Sequence, residues 1–109
     1  MTVALSQQMG NLFPSAVALA TTYDTTISTS TEITLNASTL LVVVTALVQP
    51  IFMKWGTADV TSSNWDYVIP AGTQLSFEVP VLTASTGARY TAVNFLEQSS
   101  GAILAVSEF

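Results

Sequence analysis

The segment Thr39–Gly56, with the sequence TLLVVVTALVQPIFMKWG, contains the densest apolar run of the chain and decides its fold. The run from Leu40 to Val48 is too short to cross a bilayer as a helix, which needs ~20 apolar residues. Its β-branched residues Val42–Val44 favour a pleated strand over a helix. A continuous apolar run of this length predicts a strand that is buried on both faces.

The dipeptide Gln49–Pro50 interrupts this run, because proline has no N–H group to donate to a neighbouring strand. Ile51–Trp55 follows as a second apolar strand and ends at Gly56. We therefore expect the two strands to form a hairpin-like pair.

The clearest alternating segment follows the turn sequence Pro70–Thr73, in which Gly72 can accept a positive φ. Apolar and polar residues alternate there as on a strand with one buried face. We expect Leu75, Phe77 and Val79 to point inward, and Gln74, Ser76 and Glu78 to point outward.

The remaining segments also favour strands that are separated by turns and loops. The predicted strands are Ser15–Tyr23, Glu32–Leu35, Trp65–Ile69, Ala88–Glu97 and Ala102–Phe109. The last two are expected to form a terminal hairpin, and Pro80–Gly87 is expected to be a loop. Short strands without any helical period predict an all-β fold, an antiparallel β-sandwich or jelly-roll-like single domain over residues 15–109.

Residues 1–14 belong to no alternating strand and are predicted to form an N-terminal arm. We consider two possibilities for it, a frayed terminus or an apolar arm that docks on a neighbouring subunit. The large apolar residues of the arm are candidate interface residues: Val3, Leu5, Met9, Leu12 and Phe13.

The composition favours a surface that another chain covers in part. The alternative is an ordinary threonine-rich β domain without a partner. Half of the 109 residues are hydrophobic and 8% are charged, against ~25% charged residues in an average soluble domain.

The formal net charge is −5, and Lys54 and Arg89 are the only basic side chains. Two cations are too few for nucleic acid or for an anionic membrane, so we expect neither partner. No basic residue precedes Lys54, so a secretory signal is not expected.

Catalytic chemistry has few candidate residues in this sequence. The chain contains no histidine and no cysteine, which excludes the usual general base and every Ser-His or Cys-His pair. Its seven acidic residues lie in predicted loops or on polar faces of strands, where we expect them to be solvated. No spaced pair of carboxylates predicts a glycosidase or calcium site. We therefore expect no enzymatic activity, no metal and no cofactor.

Trp55, Trp65 and Tyr67 lie within thirteen residues of one another and are further interface candidates. Aromatic side chains in such a cluster commonly fill a core or an interface. The alternative is an exposed platform that stacks sugar rings. Lys54 is also an interface candidate, and we expect it to pair with an acidic residue within the domain or across subunits.

The sequences FMKWG, DYVIPAGT and FEVPV, together with the last two strands, resemble small β-sandwich virion structural proteins of tailed bacteriophages over Ile51–Phe109. That group includes capsid decoration (cement) proteins. The resemblance implies a non-enzymatic protein, made in the host cytoplasm, that binds intersubunit seams of the major capsid protein on the outer capsid surface. It also implies a homo-oligomer, a dimer or trimer. Two alternatives are a neck, tail or fibre-base component of the virion and a carbohydrate-binding β-sandwich module.

Overall fold

A computed structural model describes residues 17–109 of the protein. The predicted arm, with its candidate residues Val3, Leu5, Met9, Leu12 and Phe13, lies outside the described residues. Between residues 17 and 109 the chain forms strands and no helix. The strands are β1 (Ala20–Asp24), β2 (Thr31–Thr34), β3 (Leu41–Leu47), β4 (Ile51–Trp55), β5 (Tyr67–Ile69), β6 (Thr73–Glu78), β7 (Val81–Thr83), β8 (Ala88–Arg89), β9 (Ala92–Glu97) and β10 (Ile103–Glu108).

Eight of these strands form two antiparallel four-stranded sheets. Sheet 1 has the order β1-β10-β3-β6 and sheet 2 has the order β2-β9-β4-β5, while β7 and β8 pair with each other as a small separate ribbon. Along the chain, each of the eight strands lies in the sheet opposite to its predecessor, except that β5 follows β4 within sheet 2. This order is that of a jelly roll. The predicted all-β antiparallel sandwich is confirmed.

The predicted hairpin-like pair of β3 and β4 is wrong, because the two strands lie in different sheets. β3 is hydrogen-bonded on one side to β10 and on the other side to β6, which leaves no free edge for β4. The chain leaves β3 through a tight turn at Val48, which has a φ of 72°. The N–H of Gln49 donates there to the carbonyl of Leu47 at 2.8 Å, and Pro50 then leads the chain into sheet 2.

The predicted terminal hairpin is wrong for the same kind of reason. β9 pairs with β2 and β4 in sheet 2, whereas β10 pairs with β1 and β3 in sheet 1. The polar turn Gln98–Gly101 therefore connects the two layers of the sandwich and does not connect neighbouring strands. A glycine-containing turn between two strands signals a reversal of the chain, but it does not specify the sheet that the next strand joins.

The burial of β3 also differs from the prediction. Val42, Val44 and Ala46 are fully buried between the sheets, whereas Leu41 and Val43 on the other face are only half-buried. In the described part of the chain no further layer covers that outer face. The strand that is buried on both faces is instead β4, where only Lys54 is more than slightly exposed.

The predicted orientation of β6 is confirmed. Val79 is buried, Leu75 and Phe77 pack against the core, and the three polar residues between them are exposed.

Several predicted strands have different bounds in the structure: Val17–Leu19 precede β1, β5 begins at Tyr67, the predicted loop Pro80–Gly87 contains β7, and the predicted strand Ala88–Glu97 is divided into β8 and β9.

The core lies between the inner faces of the two sheets. Its largest fully buried side chain is Phe95 of β9, at the middle of sheet 2. Buried side chains from both sheets pack round it in one cluster, and Ile27 joins them from the loop between β1 and β2. The cluster consists of Ile27, Ile33, Leu35, Val42, Val44, Ala46, Ile51, Met53, Trp55, Ile69, Val79, Val93, Phe95, Ala102, Leu104 and Val106.

Leu104 and Ile103 of β10 provide a matched test of this register. Leu104 is fully buried, whereas its neighbour Ile103 is half-buried on the outer face. We expect Leu104→Ala to lower the free energy of unfolding by ~2–5 kcal/mol, because the substitution leaves a cavity in the core. Ile103→Ala should cost only about 1 kcal/mol, since it removes half-exposed surface. Urea denaturation of the two variants measures both values, and equal losses would contradict the register.

Candidate interaction surfaces

The structure places the three candidate aromatic residues in three different environments. Trp55 is buried, with 8% of its surface exposed. Its ring contacts Phe77 edge-on, with a centroid distance of 6.4 Å, and lies 6.2 Å from the ring of Tyr90. Trp55 therefore closes one end of the core and is not available to a partner as an exposed platform.

Trp65 and Tyr67 are exposed, but they do not share a face. Trp65 stacks on Phe52, with a centroid distance of 6.0 Å, over the outer face of sheet 2. Tyr67 lies opposite the buried Met53 in the pairing of β4 with β5, so it points to the inner side of this edge strand. Its ring contacts Phe77 of sheet 1 at 4.8 Å. No flat aromatic platform is formed by these residues.

Lys54 points to the outer face of β4 and is half-buried. Within residues 17–109 the ion pair that is present joins Arg89 to Glu78 at 3.2 Å, and Lys54 has no acidic partner there. The predicted pairing of Lys54 within the described domain is therefore not found, and pairing across subunits stays a prediction. Arg89 also donates to the carbonyl of Val79 at 2.5 Å, so this side chain fixes the base of the β7–β8 ribbon.

Four exposed apolar side chains surround Tyr90 at the end of the sandwich that carries the β7–β8 ribbon. They are Leu40, Tyr67, Val81 and Leu82, each between 47% and 59% exposed. Tyr90 itself is half-buried and lies against Trp55. We call these five residues the Tyr90 rim. Large apolar side chains that cluster at a surface mark an interaction site more often than scattered ones do.

The Tyr90 rim borders three open clefts, each of which has Tyr90 in its wall. One, of about 350 Å³, lies between Lys54, Gly56 and Leu82. The second, of about 480 Å³, lies between Asp66, Tyr67 and Val81. The third, of about 360 Å³, includes Leu40 in its wall. Tyr90 is therefore the residue that all three clefts have in common.

The first two of these clefts contain one acidic side chain, Asp66, and its carboxylate already has a structural role. Its Oδ2 accepts a hydrogen bond from the N–H of Trp55 at 2.8 Å, and its own N–H donates to the carbonyl of Met53 at 2.8 Å. These bonds hold Asp66 against the end of β4. The carboxylate fixes the loop that carries Trp65, and no second carboxylate faces it across either cleft.

Residues 57–64 form a loop that covers part of the outer face of sheet 2. Asn94 of β9 is 2% exposed although it points outward. Its Nδ2 donates to the carbonyl of Gly56 at 2.9 Å, and its Oδ1 accepts from the hydroxyl of Ser30 at 3.0 Å. Ser30 Oγ in turn accepts from the N–H of Val60 at 2.9 Å, and Val60 is buried. This chain of hydrogen bonds fixes two loops to sheet 2.

The outer face of sheet 1 has no such cover in the described part of the chain. The residues that point outward from its strands are mostly apolar or hydroxyl-bearing, and the only charged one is Glu78, at a corner, where it pairs with Arg89. By pairing and burial, this face consists of Thr21, Tyr23, Leu41, Val43, Thr45, Leu47, Gln74, Ser76, Glu78, Ile103, Ala105 and Ser107.

The prediction that every acidic residue is solvated is wrong for Glu108, which is 2% exposed. Its Oε1 accepts from the N–H of Asn36 at 2.7 Å and from the hydroxyl of Thr39 at 2.8 Å. These bonds fix the turn before β3, so Glu108 acts as a structural acceptor. Among residues 17–109 no three acidic residues come close enough to hold a metal ion.

Sequence reasoning missed most of the Tyr90 rim. Leu40 was included only as part of an apolar strand, and Val81 and Leu82 fell in a predicted loop. No local sequence pattern distinguishes Tyr90 from its neighbours. Its position at the centre of the rim depends on the crossing of the chain between sheets. The presence of two adjacent apolar residues in a loop, Val81–Leu82, is the signal that could have indicated the surface.

No helix in residues 17–109 is long and apolar enough to cross a membrane. Comparison with known proteins gives no match to a protein family, to a curated protein or to a solved structure.

Replacing Asn94 tests the hydrogen-bond chain over sheet 2. We expect Asn94→Ala to lower the free energy of unfolding by ~1–3 kcal/mol, because it leaves the carbonyl of Gly56 and the hydroxyl of Ser30 without this partner. Hydrogen exchange of the Val60 amide should accelerate, since Ser30 then no longer holds it in place. Asn64→Ala, at an exposed loop position, is the control and should change neither quantity. Unchanged exchange at Val60 in Asn94→Ala would contradict the proposed role.

Proposed function

We propose that this chain is a non-enzymatic virion structural protein that decorates or cements a capsid by binding intersubunit seams of the major capsid protein. The observation that carries this proposal is the Tyr90 rim. It presents large apolar side chains around open clefts, with one acidic residue that is held by backbone groups. Such a surface suits broad contact with another protein, since apolar burial supplies most of the free energy of association.

The chemistry of the clefts supports binding over turnover. Their walls carry Lys54, Asp66, Arg89 and hydroxyl or aromatic residues, and the whole chain lacks histidine and cysteine. A nucleophile requires a base within hydrogen-bond reach. Among the described residues, the one carboxylate in these walls, that of Asp66, is hydrogen-bonded to the backbone N–H of Trp55 and to no hydroxyl group. The proposal therefore assigns the rim to contact with a partner.

The strand order supports the proposal only at the level of the fold. Jelly rolls occur in viral capsid proteins and also in lectins, so the topology alone does not separate these functions. The positions of the aromatic residues favour the structural role. A sugar platform needs rings exposed side by side, whereas Trp55 is buried and Trp65 and Tyr67 lie on different sides of sheet 2.

A protein of this kind stabilises a shell by mass action. A ligand that binds the assembled shell, but not the separated subunits, shifts the equilibrium towards the assembled state by RT ln(1 + [L]/Kd). Seams between subunits exist only in the assembled shell. The exposed apolar side chains of the rim come from β5, the β7–β8 ribbon and the turn before β3, and we propose that they lie across such a seam.

The experiment is co-sedimentation of purified protein with empty capsids. We expect Leu82→Glu to weaken binding by about tenfold or more, because it places an unpaired charge in a desolvated contact. Thr34→Glu is the matched control. It adds the same charge at an exposed position on the outer face of sheet 2 and should bind as the unmodified chain does.

Isolated tails from the same particles separate the alternative virion positions. Binding to capsids and not to tails supports decoration, whereas binding to tails alone would favour a neck, tail or fibre-base position. Equal binding of Leu82→Glu and Thr34→Glu to capsids would contradict the role of the Tyr90 rim. A glycan array with the unmodified chain tests the carbohydrate-binding alternative, for which we expect no signal.

A further inference from the structure

The outer face of sheet 1 is a second surface, on the broad side of the sandwich, and it differs in kind from the Tyr90 rim. Its central strands β10 and β3 present Val43, Thr45, Ala105 and Ser107 outward. None of these side chains is charged, although the chain as a whole carries a formal charge of −5. From these features we propose that two copies of the chain associate through this face, with sheet 1 of one copy against sheet 1 of the other.

The distribution of charge favours sheet 1 over sheet 2 as the dimer face. Two copies that each carry a charge of −5 repel one another, and a face without unpaired charge adds least to this repulsion. The outer face of sheet 2 does not meet this condition, because it includes Glu32 and Lys54. On sheet 1 the one acidic residue, Glu78, lies on the edge strand β6 and is paired with Arg89.

The polar side chains of this face suit a self-complementary interface. In an interface with two-fold symmetry the same patch occurs on both subunits, so each side chain must tolerate a copy of the patch opposite to it. Hydroxyl and amide groups satisfy this condition because each of them can both donate and accept a hydrogen bond. The polar residues of the face are of these types, apart from Glu78. They are Thr21, Thr45, Gln74, Ser76 and Ser107.

The two outer faces of the sandwich differ in how far loops cover them. The loop of residues 57–64 shields part of sheet 2, where Asn94 and Val60 are both 2% exposed. On sheet 1, Tyr23 is 68% exposed, and Leu19, which extends the face beyond the start of β1, is 50% exposed. Sheets that pack face to face across ~10 Å are a standard arrangement in β-proteins, and a second copy provides such a sheet.

The size of the face determines how strong the dimer should be. Four strands at a spacing of ~4.8 Å and six residues at ~3.4 Å each give a projected area of ~400 Å². A stable complex buries ~800 Å² on each partner. Leu19, whose N–H donates to the carbonyl of Glu108 at 2.7 Å, continues the face beyond β1. The sheet alone offers roughly half of the area of a stable complex, so the dimer should be weak and reversible. This inference does not depend on the proposed function.

The test uses sedimentation equilibrium of the full chain over a range of micromolar concentrations. The unmodified chain should shift from the mass of one chain, 11.5 kDa, towards twice that mass as the concentration rises. Thr45→Glu places a charge near the centre of the face and should weaken dimerisation at least ~30-fold, because like charges then face each other at short distance. Thr34→Glu, with the same added charge on sheet 2, should dimerise as the unmodified chain does.

Mixing two variants identifies the symmetric face. Thr45→Glu alone and Thr45→Lys alone should both be monomeric, and an equimolar mixture should form a heterodimer, because opposite charges then meet across the interface. Circular dichroism and thermal denaturation of each variant establish that it is folded. Failure of the mixture to associate, while both variants are folded, would overturn the face-to-face arrangement.

Other outcomes are equally decisive. A monomeric unmodified chain at all concentrations would overturn the dimer and would leave the face to the capsid protein or to residues 1–16. Equal dimerisation of Thr45→Glu and Thr34→Glu would place the contact elsewhere. Capsid binding is measured separately with Leu82→Glu, which should still dimerise. The failure of one proposal is therefore distinguishable from the failure of the other.

Discussion

The structure depends on the position of β3 between two neighbouring strands. Because β3 is hydrogen-bonded to β10 on one side and to β6 on the other, its alternating side chains have opposite environments. Val42, Val44 and Ala46 form the centre of one wall of the core, and the residues between them form the centre of the outer face of sheet 1. One apolar segment therefore supplies both the hydrophobic core and an uncharged surface. The same pairing directs the chain across to sheet 2 after Val48.

The second constraint is the small number of charged side chains. With 8% charged residues, the chain has few charged side chains that can be hydrated at its surface. The structure uses several of these groups internally: Glu108 accepts hydrogen bonds from the turn before β3, Asp66 holds the end of β4, and Arg89 ties the β7–β8 ribbon to Glu78. The one charged side chain on the outer face of sheet 1, Glu78, is paired with Arg89, and Asp66 beside the Tyr90 rim is hydrogen-bonded to the backbone. Two separate contact surfaces are the consequence that we propose.

The sequence predicted the fold class because alternation, apolar runs and turn residues are local signals. The inward set of β6 and the turn at Gly72, which has a φ of 73°, were predictable for that reason. Strand pairing was not predictable, since β3 and β9 bond with strands that are distant in sequence, and the turns after them look like hairpin turns. The Tyr90 rim was missed on the same ground. It is assembled from the turn before β3, from β5 and from the β7–β8 ribbon, and only the crossing of the chain between sheets brings them together.

Hydroxyl-radical footprinting with mass spectrometry can show whether the two surfaces have separate partners. Tyr23 reports on sheet 1 and Tyr67 on the rim, and both are well exposed in the single chain. We expect the oxidation of Tyr23 to slow as the protein concentration rises through the micromolar range. The oxidation of Tyr67 should not change with protein concentration. Oxidation of Tyr67 should slow when empty capsids are added. The proposed roles of the two surfaces would be contradicted if the oxidation of Tyr23 did not depend on concentration and the oxidation of Tyr67 did not respond to capsids.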